Sequence, residues 1–379
     1  MSERSSNRLH PPPSLAMDKP ALEDLIRALR QAGYEVIGPV VDQGAIMYRP
    51  ISTADELPIG YLDVQEAATY RLEKTDEHVY FAFTVGPQAW KAHLFPPREE
   101  VWRARQENGR VVFQDPPEPP QQAFLGVRGC ELAAIRIQDR IFLEGPYEQP
   151  TYARRRERTF IVAVNCTRAG GTCFCTSMGT GPAAGPGYDL ALTELDDVFL
   201  VQVGSPRGQE LMASVPHREA TRAEIEEAHQ RVAQAAQTMG RRLDIQGLPE
   251  LMRESLESPH WEEVAQRCLA CANCTLVCPT CFCFTLEDVT DLTGQETVRM
   301  RLWDSCFNQE FTYTAGRPIR VSIASRYRQW LTHKLGWWVD QFGELGCVGC
   351  GRCITWCPVG IDLTQEVVAL RAHQAETSA

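Results

Sequence analysis

CLACANCTLVCP (268–279) and CVGCGRCITWCP (347–358) are the stretches on which the reading of this 379-residue chain turns. Each spells C-x2-C-x2-C-x3-C-P, so Cys268, Cys271, Cys274 and Cys278 recur as Cys347, Cys350, Cys353 and Cys357. Three cysteines at that spacing wrap one face of an iron–sulfur cube. The fourth, displaced and followed by a proline that turns the chain away, reaches the neighbouring cube. The pattern predicts two [4Fe-4S] clusters with crossed ligands, Cys268, Cys271, Cys274 and Cys357 for the first and Cys347, Cys350, Cys353 and Cys278 for the second. Crossed ligands hold two clusters close together, as an electron relay needs. Zinc also takes four thiolates, usually as two C-x-x-C pairs per ion, and two complete runs each closed by Cys-Pro fit it poorly; a zinc-stabilised interaction module with no redox role is the rival reading.

Outward from these runs the composition is that of a folded protein, with 44% hydrophobic and 23% charged residues in a length that suits two or three domains. The Pro- and Ser-rich residues 1–20 read as a disordered tail without the apolar run of a secretory signal. No stretch is apolar enough to span a membrane, and fifteen cysteines in C-x-x-C patterns suit metal or redox chemistry in a reducing compartment, the cytoplasm. A net charge of -11 makes nucleic acid a poor partner. The basic residues from Arg317 to Lys334 read as a solvated helix face, with offset of cluster charge as the alternative.

Residues 21–245 read as an α/β (or α+β) domain. ALEDLIRALRQAG (21–33) has helical spacing, and YEVIGPVV (34–41), AIMYRPI (45–51) and VYFAFTV (79–85) read as strands. AFLGV (123–127), ELAAIRIQDRIFL (131–143) and FIVAVN (160–165) have the strand, helix, strand order of a parallel crossover unit. Cys130 and Cys166 follow its two strands, at the carboxyl ends where open α/β sheets bind ligands. With Cys173 and Cys175 of NCTRAGGTCFC they make four cysteines, enough for a third iron–sulfur cluster, with buried core thiols as the competing reading. The glycines at 179, 181, 185 and 187 lack the spacing of a dinucleotide fingerprint, so a flavin or nicotinamide belongs on another subunit. Thr221 and Glu224 form a capping box ahead of a long amphipathic helix that bridges to the second half. Residues 246–379, with few strand-like runs, read as all-α. Cys281, Cys283 and Cys306 either bind further metal or pack beside the clusters, and Trp303, Trp330, Trp337 and Trp338 pack around them. The eight histidines form no catalytic pattern.

The order GVRGCE, NCTRAGGTCFC, GYDLALTEL, CLACANCTLVCPTCFCF, RLWDSC and CVGCGRCITWCP resembles the β subunit of cytoplasmic [NiFe] hydrogenases of the sulfhydrogenase type, and equally the electron-transfer subunit of anaerobic sulfite reductase, over roughly residues 21–365. The resemblance implies a chain that passes electrons between two partners: a flavin-containing NAD(P)H reductase subunit on one side, and on the other the holder of the catalytic centre, either hydrogenase or sulfite reductase. It also implies an α-helical-ferredoxin-like C-terminal domain with a long insert, here Pro279 to Gly346, and it supports a cluster on Cys130, Cys166, Cys173 and Cys175. One departure is Ala315-Gly316-Arg317, where family members often carry a second glycine.

Overall fold

The structure is a computed structural model that describes residues 14–378. The chain begins with β1 (Ser14–Asp18) and α1 (Leu22–Gln31), then the hairpins β2 (Glu35–Asp42) with β3 (Ala45–Pro50) and β4 (Tyr61–Glu66) with β5 (Thr69–Lys74). After α2 (Lys91–Leu94) come β6 (Arg98–Glu107) and β7 (Arg110–Gln114), then the crossover unit β8 (Gln122–Val127), α3 (Gly129–Phe142), α4 (Pro150–Glu157) and β9 (Thr159–Val164). β10 (Leu190–Glu194), β11 (Val198–Val203), α5 (Pro206–Met212), β12 (Arg218–Glu219) and α6 (Arg222–Gln237) complete the first half.

The main sheet has the order β12-β1-β11-β10-β9-β8-β2-β3, and its central strands β10, β9, β8 and β2 run parallel. Strands buried on both faces read as continuous apolar runs. Along β9, Phe160, Val162 and Val164 face α1 and α5, while Ile161 faces α2, α3 and α4 with Phe124, Leu132 and Tyr152. Thr221 caps α6, accepting from the Glu224 N–H, as the capping box predicts.

Three expectations change. Residues 1–13 lie outside the described part, but the supposed tail is ordered from Ser14, where β1 pairs with β11. VYFAFTV is buried without being a strand. Its backbone is satisfied by side chains instead: Glu194 accepts from the N–H groups of Tyr80 and Phe81, and Arg128 donates to the carbonyls of Phe81 and Phe83. The third change concerns the C-terminal part, which is not all-α.

That part contains α7 (Leu248–Glu254), α8 (His260–Arg267) and α9 (Asn273–Leu276), then a hairpin of β13 (Phe284–Thr290) and β14 (Glu296–Trp303). Asp291 closes the hairpin turn by accepting from the N–H groups of Gln295 and Glu296. β14 pairs with β6, so a four-stranded sheet joins the two halves of the chain across residue 245. Its half-polar, largely exposed strands carry too weak an alternation to stand out in sequence. Downstream, α10 (Ile323–Thr332) passes through a π-helical turn (His333–Trp337) into α11 (Trp338–Phe342), followed by α12 (Arg352–Thr355) and α13 (Leu363–Ser378). These helices pack around a core of Trp261, Tyr327, Trp330 and Ile354. Ala315 has φ +48° and Gly316 +87°, the backbone region that a second glycine would favour. No helix among the described residues is long and apolar enough to cross a membrane.

Candidate iron–sulfur site

The two cysteine runs fold alike. Two and four residues past the first cysteine the backbone is left-handed, at Ala270 (φ +50°) and Ala272 (+66°) in one run and at Gly349 (+64°) and Gly351 (+77°) in the other. Each run then enters a short helical turn, α9 or α12, which carries the third cysteine, Cys274 or Cys353. The left-handed step aims a backbone donor at the first sulfur: the Ala270 and Gly349 N–H groups each lie 3.4 Å from Cys268 Sγ and Cys347 Sγ. The Ile361 N–H donates to Cys357 Sγ at 3.3 Å. Such N–H···S bonds favour negative charge on sulfur and tune cluster potential. A left-handed residue with a Cβ costs about 1–2 kcal/mol, so two alanines held there mark a conformation imposed by the sulfur geometry.

The sulfurs of the two runs lie side by side. Cys268, Cys271, Cys274 and Cys357 line one cavity together with Cys353, Phe307, Tyr327 and Trp330. Burial raises the Cys274 thiol, and the neighbouring Cys268, Cys357 and Cys271 raise it further. Burial likewise raises Cys353, followed by Cys347, Cys350 and Cys278. Cys357 is among the neighbours of Cys274, and Cys278 is among those of both Cys274 and Cys353. Among the described residues no three cysteine sulfurs lie within 4.8 Å of one another. A tetrahedral zinc, with Zn–S of about 2.3 Å, would draw its thiolates to about 3.8 Å. The cysteines are therefore set for a group larger than one ion.

Two of the basic residues are not solvated. Lys334, in the π-helical turn, is buried and donates to Cys278 Sγ at 3.4 Å, Thr280 Oγ1 at 2.9 Å and the Gly346 carbonyl at 2.9 Å. π-turns inside helices recur at functional positions, and this one aims an ammonium at sulfur. Arg326 is buried near Cys268, so the solvated-face reading fails for both. The signal in sequence was the setting of Lys334 among Trp330, Leu335, Trp337 and Trp338, with little polar surface around it. Of the tryptophans, Trp330 and Trp338 are buried beside the cysteines, whereas Trp337 lies under Arg253 at the surface.

Cys130 opens α3 just past β8, Cys166 follows β9, and Cys173 and Cys175 lie in the loop that leads to β10. Burial raises the Cys130 thiol, with Cys175, Cys350 and Cys166 as neighbouring causes, and it pushes Cys173 up to about 12 with Cys166 beside it. Arg128 Nη1 reaches Cys166 Sγ at 3.9 Å. The loop is docked on the second cysteine run: the Phe174 N–H donates to the Gly349 carbonyl at 2.8 Å, and Cys130, Cys175 and Cys350 share one apolar cluster. This adjacency was not visible from spacing.

The family model of the 4Fe-4S dicluster domain matches residues 267–361. The chain is 31% identical over 312 residues to sulfhydrogenase 2 subunit beta of Pyrococcus furiosus, an alignment covering 80% of this chain and 89% of that protein. No solved structure matches it. Its paired cysteine runs lie inside the matched dicluster domain, and by its likeness over four fifths of its length the chain belongs to the family of sulfhydrogenase β subunits.

Proposed function

We propose that this chain is the iron–sulfur electron-transfer subunit of a cytoplasmic hydrogenase complex, relaying electrons between a flavin subunit that handles NAD(P)H and a [NiFe] catalytic module. Two [4Fe-4S] clusters sit on Cys268, Cys271, Cys274 and Cys357 and on Cys347, Cys350, Cys353 and Cys278, and a third on Cys130, Cys166, Cys173 and Cys175. Each supplies one-electron transfer and no bond chemistry. The chain's own residues hold the sulfurs, exclude water and set the charge around them.

The observation that carries this reading is the contact of Phe174 with Gly349, which puts the third cysteine group against the second run, while the exchanged Cys278 and Cys357 tie the second to the first. Three groups in sequence form a path, and Cys271, the exposed cysteine, brings one end of it to the surface. Kinship with a sulfhydrogenase β subunit selects hydrogen chemistry for the partner.

The test is anaerobic purification of the native complex with iron counting and EPR. The expected result is a brown protein whose clusters are reduced by NAD(P)H or H2. In the Cys173→Ser, Cys175→Ser variant, iron falls by about four per chain while the C-terminal pair keeps its signals. A colourless protein without EPR signals on reduction rejects the relay. Unchanged iron in the variant rejects the third cluster alone, and a sirohaem partner moves the relay to sulfite reduction.

A further inference from the structure

Two histidines that no sequence motif joins come together where α8 packs against α13: the rings of His260 and His373 stand 5.6 Å apart, centroid to centroid. Glu263 lies one turn along α8 from His260, on the same face. Its Oε2 is 3.0 Å from His260 Nδ1 and 3.9 Å from His373 Nε2. Among the described residues this is the one trio of histidine, cysteine or carboxylate side chains whose ligand atoms all lie within 4.8 Å of one another. A tetrahedral ion with bonds of about 2.0–2.1 Å holds its ligand atoms about 3.4 Å apart, between the two measured separations.

The far side of His260 is built to orient it. The ring is buried, and its Nε2 lies 2.8 Å from Glu366 Oε2 on α13. Glu366 is buried as well, and its other oxygen accepts from Arg267 at 2.8 Å. A neutral imidazole has one N–H, and this network assigns it to Nε2. Nδ1 then presents a lone pair to the carboxylate of Glu263, and the nitrogen of His373 converges on the same oxygen. Three lone-pair donors facing one another need a cation between them. A proton answers for one ring alone, whereas an ion coordinated by all three accounts for the third. A buried carboxylate behind a ligating imidazole is the usual outer partner in a metal site.

We propose that His260, Glu263 and His373 bind a divalent transition-metal ion, zinc or a close neighbour, with water completing its coordination. Two imidazoles and one carboxylate suit such ions and leave a position open. The Glu263 side chain is 56% exposed, and a cavity of about 480 Å³ lined by Glu254, Glu257, Ser258 and His373 opens beside the rings as an entry path. The ion ties α13 to α8, whose Val264 carbonyl accepts from the Cys268 N–H at 3.0 Å, and so braces the first cysteine run from outside. It carries no electron and changes no bond of a substrate; its role is that of a clamp.

The experiment uses the full chain, purified anaerobically with its iron in place so that the cluster ligands are occupied. The protein is equilibrated with zinc chloride, desalted, and analysed for zinc and iron together. The parent should retain about one zinc per chain more than either Glu263→Gln or His373→Ala, at equal iron content. Zinc should also raise the thermal unfolding midpoint of the parent and leave that of His373→Ala unmoved. Taking the difference between proteins removes zinc held by other thiols. Glu263, exposed on α8, gives a comparison that stands if the His373 variant fails to fold. No zinc retained by the parent, equal zinc in the parent and either folded variant, or a zinc-induced shift of the same size in parent and His373→Ala would each overturn the proposal.

Discussion

Arg352 and Glu131 form an ion pair with 0% and 1% side-chain exposure, joining the second cysteine run to the helix that Cys130 opens. Glu131 also accepts from Tyr48 Oη at 2.9 Å and Trp90 Nε1 at 3.1 Å, and Arg352 Nε donates to the Gly86 carbonyl at 2.8 Å. Both charges are thus paired and hydrogen-bonded inside the protein, between two groups of sulfurs. Removing one partner leaves the other buried and uncompensated, at about 3–5 kcal/mol. Glu131→Ala should lower unfolding stability by that amount in anaerobic denaturant titration, and Glu131→Leu with Arg352→Met should recover a large part of it. Single variants within about 1 kcal/mol of the parent would show that water reaches the pair.

Gly349 and Gly351 differ from their counterparts Ala270 and Ala272 in what lies over them. A Cβ on Gly349 would stand 2.6 Å from the Phe174 carbonyl oxygen, and one on Gly351 2.4 Å from that of Thr172. The second run needs glycine for this close approach, whereas the first carries alanine and bears only the backbone cost. Ala272→Gly should therefore be neutral or stabilise by up to about 1 kcal/mol, since relief of the left-handed strain exceeds the added freedom of the unfolded chain. Gly351→Ala should destabilise and detach the Thr172–Cys175 loop, read as faster proteolysis of that loop together with lower iron content. Equal tolerance of alanine at 351 and glycine at 272 would contradict the docked loop.

The cysteine repeat was legible because metal ligation fixes both residue type and spacing, and the parallel core of β8, α3 and β9 because strands buried on both faces leave unbroken apolar runs. What stayed hidden depends on partners far along the chain. VYFAFTV has the residues of a strand, yet Glu194 and Arg128 take the hydrogen bonds that a neighbouring strand would have made. The β13–β14 hairpin is stabilised by pairing with β6, nearly two hundred residues earlier (Arg103 to Glu296 spans 193), and its own sequence carries little apolar contrast. Lys334 at the sulfurs is harder to read, since only its tryptophan-rich setting sets it apart and an isolated Lys in sequence defaults to the surface.

Lys334, itself buried, donates to Cys278 Sγ. Its positive charge favours the reduced, more negative state of the cluster that Cys278 serves. Lys334→Met should lower that cluster's reduction potential, by about 60 mV for each 1.4 kcal/mol of interaction lost, in an EPR-monitored redox titration. Lys334→Arg keeps the charge and should move it less. An unchanged potential in the methionine variant would place the lysine's charge elsewhere in the balance.

His93 lies in α2 against Trp90 and Phe124, with Nε2 buried and unpartnered. Burial pushes its imidazole down to about 4, with Arg49 nearby acting in the same direction and Glu35 opposing. In the unfolded chain the same ring titrates near 6.5. Between these values the unfolded state binds a proton that the folded state refuses, so stability is fully present above about pH 6.5 and is lost as pH falls towards 4. At about 1.4 kcal/mol per pH unit, the loss reaches about 2 kcal/mol at pH 5. Cluster ligands also protonate in acid, so the informative quantity is the difference between two proteins. His93→Leu should lose about 2 kcal/mol less stability than the parent between pH 7 and pH 5, measured by anaerobic unfolding at both pH values. Equal losses would mean that the ring is protonated in the folded state and that water enters beneath Trp90.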